Sequence, residues 1–251
     1  MKLTGIIIAF LLLAGMVSAG SIDSLYSKGN NFYQQKQYSN ALLCYETILK
    51  TGKVSADLYY NLANSYFKTG ENTSAILYYE KALKLKPEFE DATYNLAIAN
   101  SRITDKIESL PELFFITWFK DIRNTLNANT WSIVSLSAFA ILLLTVLGFL
   151  LLQSILLRKI SAAIAFFSLF AFIIFVVFAI SSHYARTDKS KAILTAPSVI
   201  AKSSPDESAT DLFVIHEGTK VTIRETFEDW CEIQIADGNR GWVTSDRFSV
   251  I

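Results

Sequence analysis

Histidine and cysteine are nearly absent from these 251 residues, with two of each. His183 and His216 are not placed beside cysteine or carboxylate at metal-ligand spacing, so no metal site is expected. Cys44 and Cys231 lie in distant parts of the chain and leave two readings: a bridge formed in an oxidising compartment, or two small buried hydrophobes. No phosphate-cradling glycine loop, serine elbow or paired-carboxylate cleft is legible. Catalytic, cofactor-binding and metal residues are therefore none, and the chain reads as a recognition protein, not an enzyme. Net charge is missing too, with 23 Lys and Arg against 23 Asp and Glu. Residues 20–110 balance ten bases with ten acids, and the tail from Lys191 carries ten acids against six bases. That distribution argues against a nucleic-acid partner.

The most informative absence is charge in the middle of the chain. No Asp, Glu, Lys or Arg occurs from Asn124 to Leu157, nor from Ile160 to Ala185. Each run exceeds the roughly 20 residues that cross a hydrocarbon core, so two transmembrane helices are expected at 131–153 and 160–182. The turn between them is expected to carry Arg158 and Lys159. A buried hairpin of a soluble protein is the alternative, but the rest of the chain is too small to cover it. Neither helix holds an ionisable residue, so the pair reads as an anchor without an ion or proton path.

Residues 1–19 have a basic start at Lys2, an apolar run from Ile6 to Ala14, and Val17 and Ala19 at the spacing of a signal-peptidase site. Cleavage after Ala19 or retention as an anchor both leave the following residues on the exported side. The hairpin then returns the chain to that side, with Arg158 and Lys159 in the cytoplasm as the positive-inside bias asks. Arg186, Lys189 and Lys191 run against the bias on the outer side.

A period of 34 residues runs through the first exported block, 20–104. It relates Asp23 to Asp57, Tyr26 to Tyr60, Asn30 to Asn64, Ala41 to Ala75 and Tyr45 to Tyr79. Units start at 22, 56 and 90, the third being partial (90–104). The second reads as helices over Leu58 to Lys68 and Thr73 to Leu85, broken at Gly70 and closed by Pro87. Small residues at Gly29, Ala63, Ala41 and Ala75 allow close helix approach, and Phe32, Tyr45, Tyr66 and Tyr79 fill the adjoining space. The run YYNLANSYFKTGENTSAILYYEKALKLKP resembles the tetratricopeptide repeat family. That resemblance implies a concave groove lined by Asp23, Tyr26, Asn30 and Tyr33, then Asp57, Tyr60, Asn64 and Phe67, then Asp91, Tyr94 and Ile98. Such a surface suits an extended peptide or a partner helix. The asparagines match family members that clamp a terminal carboxylate, but Tyr26, Tyr60 and Tyr94 stand where that clamp needs lysine. Ordinary inter-helix packing is the other reading of the tyrosines. An array of two and a half units is short and is expected to lean on a neighbouring segment or a partner.

Residues 105–130 form a link. From Glu112 to Asn127, Phe114, Phe115, Trp118, Phe119, Ile122 and Leu126 share one helical face, opposite Lys120, Asp121 and Asn124, with Ser109 and Glu112 as the expected capped start. The face suits either the outer leaflet or the last repeat helix. From 190 to 251 the pattern turns to period two, with strands at Lys220–Arg224, Trp230–Ile235 and Gly241–Val243 and a hairpin turn at Asp237-Gly238-Asn239. The run EGTKVTIRE, DWCEIQIADGNRGWV and DRFSVI resembles bacterial Src-homology-3-like domains, which implies a small all-β barrel. Cys231, Ile233 and Ile235 fall on one face, and Trp230, Glu232 and Gln234 on the other. The resemblance implies Trp230, Trp242 and Phe248 as contacts for a cell-wall peptide or protein segment, with barrel core as the competing role.

Export signal, repeats, the link ESLPELFFITWFKDIRNTL, hairpin and barrel in this order resemble the BatE family of the Bacteroides aerotolerance group. The fold class is then a multidomain membrane protein: helical repeat array, two-helix transmembrane hairpin and small barrel. The resemblance implies a scaffold on the periplasmic side of the bacterial inner membrane. Membrane proteins with von Willebrand factor type A domains and a MoxR-type ATPase system would be its partners. An anchor or sensor that binds peptidoglycan through the barrel is the alternative.

Overall fold

The computed structural model describes residues 22–108 and 110–251. The expected export signal and Ser109 lie outside the described residues. The chain divides into two units. The first takes the described residues up to Leu83, then Phe89–Leu110 and Ser190–Ile251; the second takes Lys84–Glu88 and Pro111–Lys189.

The first unit opens with α1 over 22–34, followed by α2 (Tyr38–Lys50), α3 (Ala56–Thr69), α4 (Asn72–Leu85) and α5 (Glu90–Asn100). Local chemistry sets their ends. The Ser55 hydroxyl accepts the Leu58 N–H at 3.1 Å and caps α3, while Gly70 ends it in the left-handed region at φ 91°. The small residues allow the close approach the period implies: a methyl group on Gly29 would lie 2.6 Å from the Tyr45 ring. Ala41, Ala63 and Ala75 are fully buried, as are Tyr45 and Tyr79 to within 1%. Two apolar clusters result, one around Leu58, Leu62 and Ile48, the other around Ile76, Tyr79 and Leu96.

The barrel is an antiparallel seven-stranded sheet: β1 (Lys191–Leu194), β2 (Ser198–Lys202), β3 (Asp211–His216), β4 (Lys220–Phe227), β5 (Trp230–Gln234), β6 (Arg240–Thr244) and β7 (Phe248–Val250). Its order is β3-β2-β6-β5-β4-β1-β7. The β5–β6 turn is the expected one, with Gly238 at φ 94° and the Asp237 carboxylate accepting the Asn239 N–H at 2.9 Å. Cys231, Ile233 and Ile235 are buried and Trp230, Glu232 and Gln234 half-buried, as the alternation demands. Cys44 and Cys231 are both buried and unbridged.

Array and barrel belong to one unit, and a dense joint connects them. Ile193 and Ile251 join the Ile76 cluster of the repeats, and Ile107 packs against the barrel core. The turn between β3 and β4 sits hard on the array. Gly218, at φ 85°, has no room for a side chain, because a methyl group there would lie 2.6 Å from Ile103. Asp105 accepts three hydrogen bonds or ion-pair contacts from this turn: the His216 N–H at 2.7 Å, the His216 ring at 2.8 Å and the Thr219 hydroxyl at 2.9 Å. Lys220 pairs with Glu80 at 2.7 Å, and the Thr73 hydroxyl donates to Glu217 at 2.8 Å. The barrel thus supplies the packing that a second helix would give the third repeat, which is how so short an array closes its core.

The second unit contains α6 (Phe114–Asn124), α7 (Ala128–Leu151) and α8 (Ile155–Thr187). These helices overlap the spans expected at 131–153 and 160–182, but the expected turn at Arg158 and Lys159 is corrected. The connection is 152–154, and Arg158 and Lys159 lie in the first turns of α8, with the Arg158 N–H donating to the Ser154 carbonyl. A count of apolar residues stops at charge, whereas the helix continues through it because those first turns need no apolar surroundings. At ~1.5 Å per residue α8 is about 50 Å long, more than the ~30 Å hydrocarbon core requires. α7 and α8 are both long and apolar enough to cross a membrane. They pack along their length, with the Ser168 hydroxyl donating to the Ala138 carbonyl at 2.7 Å and Phe139 against Phe172 at 5.2 Å. The expected capping role of Glu112 is also corrected: it pairs with Lys120 at 2.5 Å, and Leu113 stands at the start of α6 without a side-chain cap.

Candidate functional site

The groove candidates separate into two groups. Asn30 accepts the Tyr45 hydroxyl at 2.7 Å and the Asn61 amide at 3.1 Å, and the same amide donates to the Tyr26 hydroxyl at 2.8 Å. One repeat further, Asn64 accepts the Tyr79 hydroxyl at 2.6 Å and the Asn95 amide at 2.9 Å, which also donates to Tyr60 at 3.2 Å. The chain therefore carries two copies of one ladder, each joining both helices of a unit to the first helix of the next. Tyr26, Asn30, Tyr60 and Asn64 have their polar atoms engaged within the array. Tyr60 also packs on Phe89 at 4.7 Å, and Phe67 is covered by the Arg102 guanidinium at 4.2 Å.

Asp23, Asp57 and Asp91 remain exposed at the repeat spacing, and Tyr94 is 69% exposed. The structure brings Asp23, Tyr26 and Asp57 together around an open cleft of about 230 Å³, walled by Lys53, Val54 and Leu58. The residues missed by sequence reasoning were Asn61 and Asn95. Their own spacing of 34 was the available signal.

Burial, above all, raises the hydroxyls of Tyr45 and Tyr79 well beyond the ordinary tyrosine range. Both are therefore fixed as neutral donors to their asparagines. Tyr66 is raised likewise, by burial and then by its 2.5 Å hydrogen bond to Glu46.

On the barrel, Trp230 lines a cleft of about 290 Å³ with Lys202, Glu207, Thr244 and Arg247. Lys202 is held by Asp211 at 2.6 Å, and Arg247 by Asp246 at 3.3 Å. Trp242 does not line this cleft; it stands opposite Glu232 and Lys202 in the ladder, half-buried. Phe248 pairs with Leu194 and packs against the barrel core. The three aromatic candidates are thus dispersed. Among the described residues no group of three or more His, Cys, Asp or Glu could hold a metal ion.

Comparison with known families finds two matches. A tetratricopeptide repeat model matches residues 56–89, and a bacterial SH3 domain model matches residues 198–249. No curated protein matches the chain. The chain therefore carries a repeat of a protein-binding kind and a barrel of a kind associated with cell-wall binding, both of them non-catalytic interaction modules.

Proposed function

We propose that this protein is a membrane-anchored interaction scaffold whose array and barrel both stand on the periplasmic side of a bacterial inner membrane. One observation carries the reading: a single packed unit is made from segments on both sides of two membrane-length helices, with Asp105 bonded to His216 across 111 residues. A chain that leaves a compact unit and rejoins it crosses a bilayer an even number of times, and α7 and α8 supply two crossings. The side follows from the export pattern of residues 1–19 and from Arg158 and Lys159 next to the 152–154 connection. Arg186, Lys189 and Lys191 oppose the count, but a long translocated domain overrides such charges.

In this reading Asp23, Asp57, Asp91 and Tyr94 face a protein partner, taken as an extended segment or a helix. The BatE-like order of modules extends it to membrane proteins with von Willebrand factor type A domains, a MoxR-type ATPase and a role in aerotolerance or envelope stress. Reporters active only in the cytoplasm or only in the periplasm test the topology. The cytoplasmic one is expected to report from 152–154 and the periplasmic one from beyond Ile251; opposite results at either place overturn the proposal. A photo-crosslinker at Tyr94 is expected to capture a von Willebrand factor type A membrane protein. Labelling of that protein unchanged by moving the crosslinker to buried Ala75 removes the groove assignment.

A second reading, peptidoglycan binding by the barrel, is favoured by the placement of Trp230 in a cleft beside Lys202 and Arg247. The full chain in detergent is then expected to sediment with purified sacculi, and Trp230→Ala to weaken that sedimentation. Equal pelleting of the variant ends this reading.

A further inference from the structure

Helix α6 carries apolar surface that neither proposed binding surface uses. Phe114 is 84% exposed, Trp118 64% and Phe115 53%. At ~100° per residue these three and Ile122 occupy one arc of α6, and Phe119 borders it. Thr117, Lys120 and Asn124 occupy the other side, where Lys120 is paired with Glu112, while Asp121, seven residues after Phe114, stands at the edge of the ring arc. The border residue sets what the exposed rings adjoin. Phe119 stacks on Phe178 of α8 at 5.1 Å, Phe178 stacks on Trp131 of α7 at 4.8 Å, and the Trp131 indole donates to the Arg123 carbonyl at 2.8 Å. Phe115 and Trp118 are therefore continuous with the outer surface of the two membrane-length helices, near the end of the pair where α7 begins.

We propose that α6 lies in the plane of the membrane, with Phe114, Phe115 and Trp118 docked at the boundary between phospholipid headgroups and acyl chains. This rests on the membrane-anchor reading. The occupant is lipid because the exposed rings extend a surface whose own surroundings are acyl chains, and because aromatic side chains, Trp above all, favour that depth. Charge contributes little to the docking: α6 holds Lys120 and Arg123 against Asp121, so the rings carry it and headgroup charge does not. Their insertion sets the depth of the hairpin and resists its tilting.

The test uses the full chain in phosphatidylcholine vesicles, with and without lipids brominated on the upper acyl carbons. The Trp118 emission, taken as the difference between wild type and Trp118→Phe, is expected to be lost with brominated lipid and to resist aqueous iodide, at low and high salt alike. A Phe114→Ser, Phe115→Ser double variant keeps Trp118 as reporter and is expected to shift its quenching from lipid towards iodide. Trp118 open to iodide, shielded from both quenchers as under a protein cover, or unaffected by the double variant overturns the proposal. Resistance of the chain to carbonate extraction is scored separately. Extraction defeats the anchor reading itself, whereas retention without lipid quenching defeats the α6 assignment alone.

Discussion

At the scale of single residues, the asparagine–tyrosine ladder explains why polar side chains line the inside of so small an array. A tyrosine hydroxyl buried to the extent of Tyr79 must find an acceptor, and Asn64 provides it while also receiving Asn95 from the next helix. Asn64→Ala removes the acceptor and leaves the hydroxyl buried without a partner. It is expected to lower the unfolding free energy of the full chain in detergent by about 1–3 kcal/mol, read by urea titration. Adding Tyr79→Phe removes the stranded hydroxyl as well, so the double variant is expected to lose less than the sum of the single ones. Strict additivity contradicts the ladder.

At the scale of elements, the helices of the array were legible because the period, Gly70 and Pro87 act locally, while the Ser55 cap was not read. The second unit was expected at Leu58–Lys68 and Thr73–Leu85 and is found at Ala56–Thr69 and Asn72–Leu85. The first strands of the barrel were not legible, and β1 gives the reason. Ala192 and Leu194 point into the barrel core while Ile193 enters the core of the repeats, so KAIL is buried on both faces and shows no alternation. β2 and β3 do alternate in burial, but Ile200, Leu212 and Val214 on their exposed face are apolar, so the sequence does not show it. The groove was half legible. Family geometry places Asn30 and Asn64 on the first helices, but it cannot say that asparagines 31 residues further along bond them. Phe67 looked available because its cover, Arg102, comes from beyond the last repeat helix.

At the scale of the whole molecule, the joint between array and barrel concentrates charge at Asp105. Burial by itself raises its carboxyl, but the His216 N–H, the His216 ring and the Thr219 hydroxyl outweigh burial and hold it below the ordinary carboxylate value. A depressed folded-state value means that the contribution to stability is fully present above the unfolded value of ~3.9 and is lost as pH falls through the folded one. The joint is therefore expected to hold at neutral pH and to loosen on acidification below about pH 4, seen as faster amide exchange over His216–Thr219 once intrinsic rates are corrected. Asp105→Asn is expected to loosen it already at neutral pH, by about 1–3 kcal/mol, with a flatter pH dependence. Equal protection in both proteins across the range contradicts this assignment.

The same joint imposes an order on assembly. Its partners are separated by more than a hundred residues, so during synthesis the repeats emerge first and wait with Ile76 and Ile103 uncovered until the strands beyond α8 exist to cover them. A chain whose hairpin fails to bring those strands back to the repeats cannot complete either module. It keeps a sticky, unfinished end that chaperones and proteases can recognise, and under the membrane-anchor proposal correct passage through the bilayer becomes a condition for maturation.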